Sequence, residues 1–122
     1  MDPRRLWGIA LLLACEVHAQ QAVRLLVQDS PLAGFRYHAA AEVWHALRVG
    51  DRLELEPEPD NPHDANAVRV LWRGRVLGYV PRRENAALAW GIARGTPLRA
   101  RISALAEHAN PARRVRFEVY VE

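Results

Sequence analysis

The strongest constraint on how this chain can fold is a pair of short strand-like runs separated by two residues. Residues 67–72 (Ala-Val-Arg-Val-Leu-Trp) and 75–80 (Arg-Val-Leu-Gly-Tyr-Val) flank Arg73-Gly74. A glycine in a two-residue loop supplies the positive φ that tight hairpin turns require, so the two runs are expected to pair as a β-hairpin. If Trp72 pairs with Arg75, then Val70 faces Leu77, Val68 faces Tyr79 and Arg69 lies opposite Gly78, which gathers Val68, Val70, Leu77 and Tyr79 on one surface. Residues 60–66 (Asp-Asn-Pro-His-Asp-Ala-Asn) precede the hairpin. They are turn formers whose side chains can bond nearby backbone groups, so Asn61, Asp64 and Asn66 are expected to build an Asx-type turn.

The rest of the chain supplies more strands and two short helices. Residues 22–28 have a strand's composition, and Asp29-Ser30-Pro31 reads as the turn that ends it. In residues 39–47, Ala40, Val43, Trp44 and Leu47 recur at helical spacing, which predicts a short amphipathic helix. Leu53, Leu55 and Pro57 alternate with Glu54, Glu56 and Glu58, the period of a half-exposed strand with its glutamates in solvent. Asn85 is placed as the N-cap of a helix over residues 86–93, with Leu88 and Ile92 inward and Gly95 just beyond its end. Residues 97–105 and 113–121 read as two more strands, the second with Val115, Phe117, Val119 and Val121 on one face. Strands and helices do not alternate regularly, so the expected class is mainly β: a small antiparallel β-barrel, closed or partly open, with two short helices. Gly78 is expected where two backbones approach closely, Tyr79 as a core residue with a wet hydroxyl, and Trp44, Trp72 and Trp90 as core or lid residues.

The first twenty-one residues are of a different kind. Arg4 and Arg5 precede an apolar run from Leu6 to Cys15, followed by Val17-His18-Ala19. This is the layout of a secretory signal, with cleavage expected after Ala19, giving a cleavable segment at 1–19, a domain at 20–122 and an exported, periplasmic or secreted location. About ten apolar residues are too few to cross a bilayer roughly 30 Å thick. An alternative reading of Leu12-Leu13-Ala14-Cys15 is a lipobox, in which a lipidated Cys15 would hold the protein at a membrane. Cys15 is the only cysteine in the sequence, so the domain after it has neither disulfide nor thiol chemistry.

Charge narrows the function. All 17 basic side chains are arginine, and the net charge is only +3. Their distribution is uneven: residues 48–66 carry two arginines against six acids, and residues 67–101 eight against one. A basic half of this kind is the electrostatic footprint expected of a polyanion binder, although an all-arginine surface also arises from coding bias. Catalysis is not expected. After the leader the only serines are Ser30 and Ser103, neither in a Gly-x-Ser-x-Gly turn, and the sequence has no P-loop. No cofactor or small-molecule substrate is implied. Asp60, His63 and Asp64 are the weak metal candidates, at a spacing that matches no established ligand pattern.

The motifs converge on one family. Gly34-Phe35-Arg36-Tyr37, Leu53-Glu54-Leu55, the block Asn61-Pro62-His63-Asp64-Ala65-Asn66-Ala67-Val68-Arg69-Val70, and Gly78-Tyr79-Val80-Pro81 with Asn85 and Leu88 downstream resemble the HIRAN domain across nearly all of residues 23–122. The resemblance implies an OB-like β-barrel that binds nucleic acid; in members attached to Swi/Snf-type translocases, it implies capture of single-stranded DNA at its free 3′-hydroxyl end. By position, Arg36 and Tyr37 match a pair lying along the DNA, and His38 stands where those members have a second tyrosine. Asn61 and Asp64 match residues near the terminal sugar and its hydroxyl, His63 replaces a base-stacking tyrosine, and Arg82 falls where a basic residue meets phosphate.

The residues are compatible with that role on chemical grounds. Single-strand binding needs positive charge and flat side chains. Arg36, Arg69, Arg82 and Arg83 offer the first, Tyr37, His38 and His63 the second. A carboxylate such as Asp64 repels phosphate, and fits a nucleic-acid site only where it accepts a hydrogen bond from a sugar hydroxyl. The leading expectation is therefore a non-catalytic module for single-stranded nucleic acid or its 3′ ends. The competing one is an exported protein-interaction or envelope domain that keeps the barrel without end binding, which the two imidazole replacements and the export signal favour. A metal-dependent hydrolase or hydrolase-associated module is the minor third.

Overall fold

The computed structural model describes residues 25–122; the segment expected to be a secretory signal and Cys15 lie outside them. Strands β1 (Leu25–Pro31), β2 (Arg52–Pro57), β3 (Val68–Trp72), β4 (Arg75–Tyr79), β5 (Leu98–Leu105) and β6 (Val115–Val121) form one antiparallel sheet in the order β1-β6-β5-β2-β3-β4. Two helices join them, α1 (Ala40–Val43) and α2 (Asn85–Ala93), with single 3₁₀ turns at Phe35–Tyr37, Trp44–Ala46, Arg82–Glu84 and Pro111–Arg113. The sheet curls without becoming a closed barrel. Its two edge strands are brought together through one antiparallel bridge between Ala33, just past β1, and Tyr79 at the end of β4, made by two N–H···O bonds of 2.9 Å.

Inward alternation builds the core. Leu53, Val68, Val70, Leu77, Ala100, Ile102, Val115, Phe117 and Val119 project from the strands, and Leu32, Phe35, Ala40, Val43, Leu47 and Leu88 pack over them. Burying each larger member contributes about 1.5–3 kcal/mol. Trp72 joins this core and donates its indole N–H to Asp51 at 3.0 Å. Trp44 is half-buried, edge-on to Phe35, whereas Trp90 stands 63% exposed on α2 beneath Arg94 and is neither core nor lid.

Four expectations are corrected. Asp29, Ser30 and Pro31 do not end the first strand; they are its second half, paired with Glu118, Phe117 and Arg116. Buried Ser30 accepts from the Gln28 amide and donates to Glu84 at 2.5 Å, tying β1 to the 3₁₀ turn before α2. In the hairpin, Trp72 pairs with Arg75, but Val70 pairs with Gly78 and Arg69 with Tyr79, because β4 carries one extra residue in a bulge. Leu77 stays fully in the core, and the bulge puts Tyr79 beside Arg69, on the face away from Val68 and Val70. The glutamates of β2 are not all solvated: Glu54 and Glu56 are exposed, while Glu58, just past the strand, is half-buried and bonded. Asn85 is not a cap. It is the first residue of α2, after Glu84 in the N-cap position; it is buried and its amide is bonded to Asp64.

The turn at Arg73-Gly74 has φ of 48° and 79°, the two positive values of a type I′ hairpin. Gly78 is required for a different reason. A Cβ there would stand 2.2 Å from the Ala33 carbonyl oxygen and 3.0 Å from the Leu32 side chain, so only glycine lets the two sheet edges meet.

Candidate nucleic-acid interface

The polar cluster between β2 and β3 satisfies itself before it can do anything else. Asn61 Oδ1 accepts from the N–H groups of His63 (2.9 Å) and Asp64 (3.1 Å), and Asp64 Oδ1 accepts from the Asn66 N–H at 2.9 Å. Backbone bonds from Asn61 N–H to Glu58 and from Ala67 N–H to Asp64 complete the expected Asx-type turn. Its shape leaves the His63 side chain exposed and the Asp64 carboxylate half-buried.

Three elements converge on this turn. From the 3₁₀ turn before α2, Arg82 donates to the His63 carbonyl at 2.9 Å and holds its Nε 3.9 Å from Asp64 Oδ2. From α2, the Asn85 amide donates to the same carboxylate oxygen at 2.8 Å. From β4, the Tyr79 hydroxyl donates to Glu58 at 2.7 Å, and Glu58 also accepts from the Asn61 amide at 3.3 Å. Asn61, His63, Asp64, Arg82, Asn85 and Tyr79 together line an open depression of about 340 Å³. The Asn85 hydrogen bond, then the Asn66 N–H and the Arg82 charge, hold the Asp64 carboxyl below its ordinary value, against the opposing effect of burial. The Glu58 carboxylate pushes the Tyr79 phenol up.

Arg36 and Tyr37 belong to a neighbouring hollow of about 120 Å³, shared with Gly34, Phe35 and the turn at Asn110, Pro111 and Ala112. Tyr37 is 77% exposed there. His38 lies between the two hollows, its ring 5.4 Å from that of Tyr79. The expected site residues thus fall into two adjacent groups, Asn61, His63, Asp64 and Arg82 in one and Arg36 and Tyr37 in the other, with His38 joining them through Tyr79. A hollow of similar size, about 360 Å³ between β2 and β5, contains none of them.

Other assignments change. Arg69 is committed to Glu56 and Glu58, so it does not supply charge to the depression. Among the described residues no three His, Asp or Glu side chains are grouped to hold a metal ion, and the trio Asp60, His63 and Asp64 is not such a group. Tyr79 and Asn85 were not expected in the site. Tyr79 was hidden by the bulge, and Asn85 by a position that reads as a helix start.

Residues 25–122 match the family model of the HIRAN domain. The chain belongs to the HIRAN domain family. Two crystal structures share the HIRAN fold seen here. One is a protein from Lactobacillus plantarum, 23% identical with a TM-score of 0.69, the match covering 81% of this chain and 95% of that one. The other is the HIRAN domain of human HLTF, 16% identical with a TM-score of 0.59, covering 81% and 80%. No curated protein matches the sequence. The architecture is therefore that of an OB-like HIRAN domain, mainly β with two short helices.

Proposed function

We propose that this HIRAN domain binds single-stranded nucleic acid across the two adjacent hollows and takes the 3′-hydroxyl end in the larger one. The observation that carries the proposal is the state of Asp64: an ionised, doubly hydrogen-bonded carboxylate 3.9 Å from an arginine, lining a depression open to solvent. Such a group accepts a hydrogen bond from a terminal hydroxyl and repels a terminal phosphate, so it distinguishes an end from a strand interior. In this reading Arg82, exposed beside it, meets the last internucleotide phosphate, and the exposed His63 stacks on the last base. The strand then passes His38 and Tyr79 towards Tyr37 and Arg36. Stacking on an exposed aromatic contributes about 1–3 kcal/mol per base.

The test is a titration of the purified protein with labelled oligonucleotides ending in 3′-hydroxyl or 3′-phosphate, at several salt concentrations. The hydroxyl-ended strand is expected to bind more tightly. Asp64→Ala is expected to reduce that preference by about tenfold or more, since hydrogen bonds to charged groups contribute about 1.5–3 kcal/mol, while total affinity falls less. Affinity that ignores the end and collapses steeply with salt would leave only generic polyanion attraction. Absence of binding at low salt would favour the protein-interaction reading instead.

A further inference from the structure

Asp64 does not hold itself in place. Its Oδ1 is engaged by the Asn66 N–H within the turn, but Oδ2 is held from another element by the Asn85 amide at 2.8 Å. Asn85 is 3% exposed and lies inside α2, one residue past the N-cap position held by Glu84. Burying an amide is unfavourable unless it is paired, and neither helix propensity nor core packing calls for asparagine at that position. The partner that explains this side chain is the Asp64 carboxylate.

We propose that Asn85 is a positioning residue for end recognition, whose amide fixes the plane of the Asp64 carboxylate and keeps it an acceptor, so that the depression takes a hydroxyl and rejects a phosphate. The functional part of this inference rests on the reading above. A carboxylate oxygen that already faces an N–H donor cannot carry a proton towards it without setting two donors against each other. Removing the amide frees the carboxylate to rotate and to protonate at higher pH. The groups facing Asp64 are Asn85 from α2, Arg82 from the 3₁₀ turn, Asn66 and His63 from its own turn, and Tyr79 from β4, with Glu58 behind Asn61 and Tyr79. His63 is kept in every variant, so its contribution cancels in the comparison.

The experiment pairs two measurements on wild type, Asn85→Ala and Asn85→Asp. One is an NMR titration of the Asp64 carboxyl carbon without ligand. The other is the ratio of affinities for 3′-hydroxyl and 3′-phosphate oligonucleotides from pH 5 to pH 8. In Asn85→Ala the Asp64 titration is expected to move to higher pH, and the preference for the hydroxyl to fall at least about fivefold, less than in Asp64→Ala because the accepting carboxylate itself is kept. In Asn85→Asp two carboxylates in contact share a proton, so the preference becomes pH-dependent relative to wild type. Asn85→Ser, too short to reach Asp64, replaces Asn85→Ala if that variant fails to fold. An unmoved Asp64 titration in a folded variant overturns the proposal whatever the oligonucleotides do. A moved titration combined with no end preference in wild type upholds the Asn85–Asp64 coupling and sinks the end-recognition reading.

Discussion

Replacing Gly78 with alanine tests how the two edges of the sheet are joined. The new methyl carbon would lie 2.2 Å from the Ala33 carbonyl oxygen, whereas ordinary contacts begin near 3.4 Å, so one backbone must retreat by about 1.2 Å, the difference between the two. The obstructing oxygen itself accepts the Tyr79 N–H, and the reciprocal bond runs from Ala33 to the Tyr79 carbonyl. Moving it therefore endangers both hydrogen bonds of the bridge, each worth about 0.5–1.5 kcal/mol net, in addition to about 1–3 kcal/mol of overpacking. The expected loss is about 3 kcal/mol, which for a domain of this size lowers Tm by roughly 12–25 °C. Thermal and urea denaturation of Gly78→Ala read this directly. Gly74→Ala is the complementary control: Gly74 has the positive φ that Gly78 lacks and no atom within 4 Å of an added Cβ, so its cost is limited to backbone strain of about 1–2 kcal/mol. A Gly78→Ala protein within 1 kcal/mol of wild type would refute the argument that close approach, rather than φ, demands glycine there.

Two further outcomes follow from the site. Tyr37→Ala removes a side chain that is 77% exposed, so stability should change by less than about 0.5 kcal/mol. Affinity for single-stranded oligonucleotides, followed by fluorescence anisotropy, should weaken by the equivalent of about 1–3 kcal/mol; unchanged affinity would remove Tyr37 from the interface. Because the fold lowers the Asp64 pKa, the carboxylate contributes stability that is fully present above its unfolded value, about 3.9, and is lost as pH falls through the lower folded value. Denaturation midpoints of Asp64→Asn should therefore decline less steeply than those of wild type below pH 4, and parallel declines would contradict the assigned shift.

The sequence carries its local information well and its long-range information poorly. The turn at residues 61–66, the I′ loop at Arg73-Gly74 and the close approach at Gly78 are all legible, because each is dictated by a residue's own donors, acceptors or missing Cβ. What could not be read depends on partners far along the chain. Asp29-Ser30-Pro31 looks like a turn until β6 lies beside it. Strict alternation makes Tyr79 a core residue, and only the bulge, a device that one inserted residue creates without a compositional mark, moves it to the rim of the site. Asn85 reads as a cap because asparagine before an apolar helix usually is one, and its carboxylate partner lies 21 residues away. The two site residues that the sequence concealed are thus the two whose roles are set by tertiary contact.

The pairing of β1 with β6 also has a consequence for the time course of synthesis. Leu25 lies opposite Val121, and β6 is sandwiched between β1 and β5, so the last-made strand is the neighbour that both await. Until it emerges, β1 has no sheet to join and β5 lacks one of its two neighbours. The domain is therefore held short of its folded state until β6 has been made, and contacts of such wide separation make the final docking slow. Stalling translation before β6 leaves a nascent chain open to protease digestion, and synthesis past β6 converts it to a resistant one.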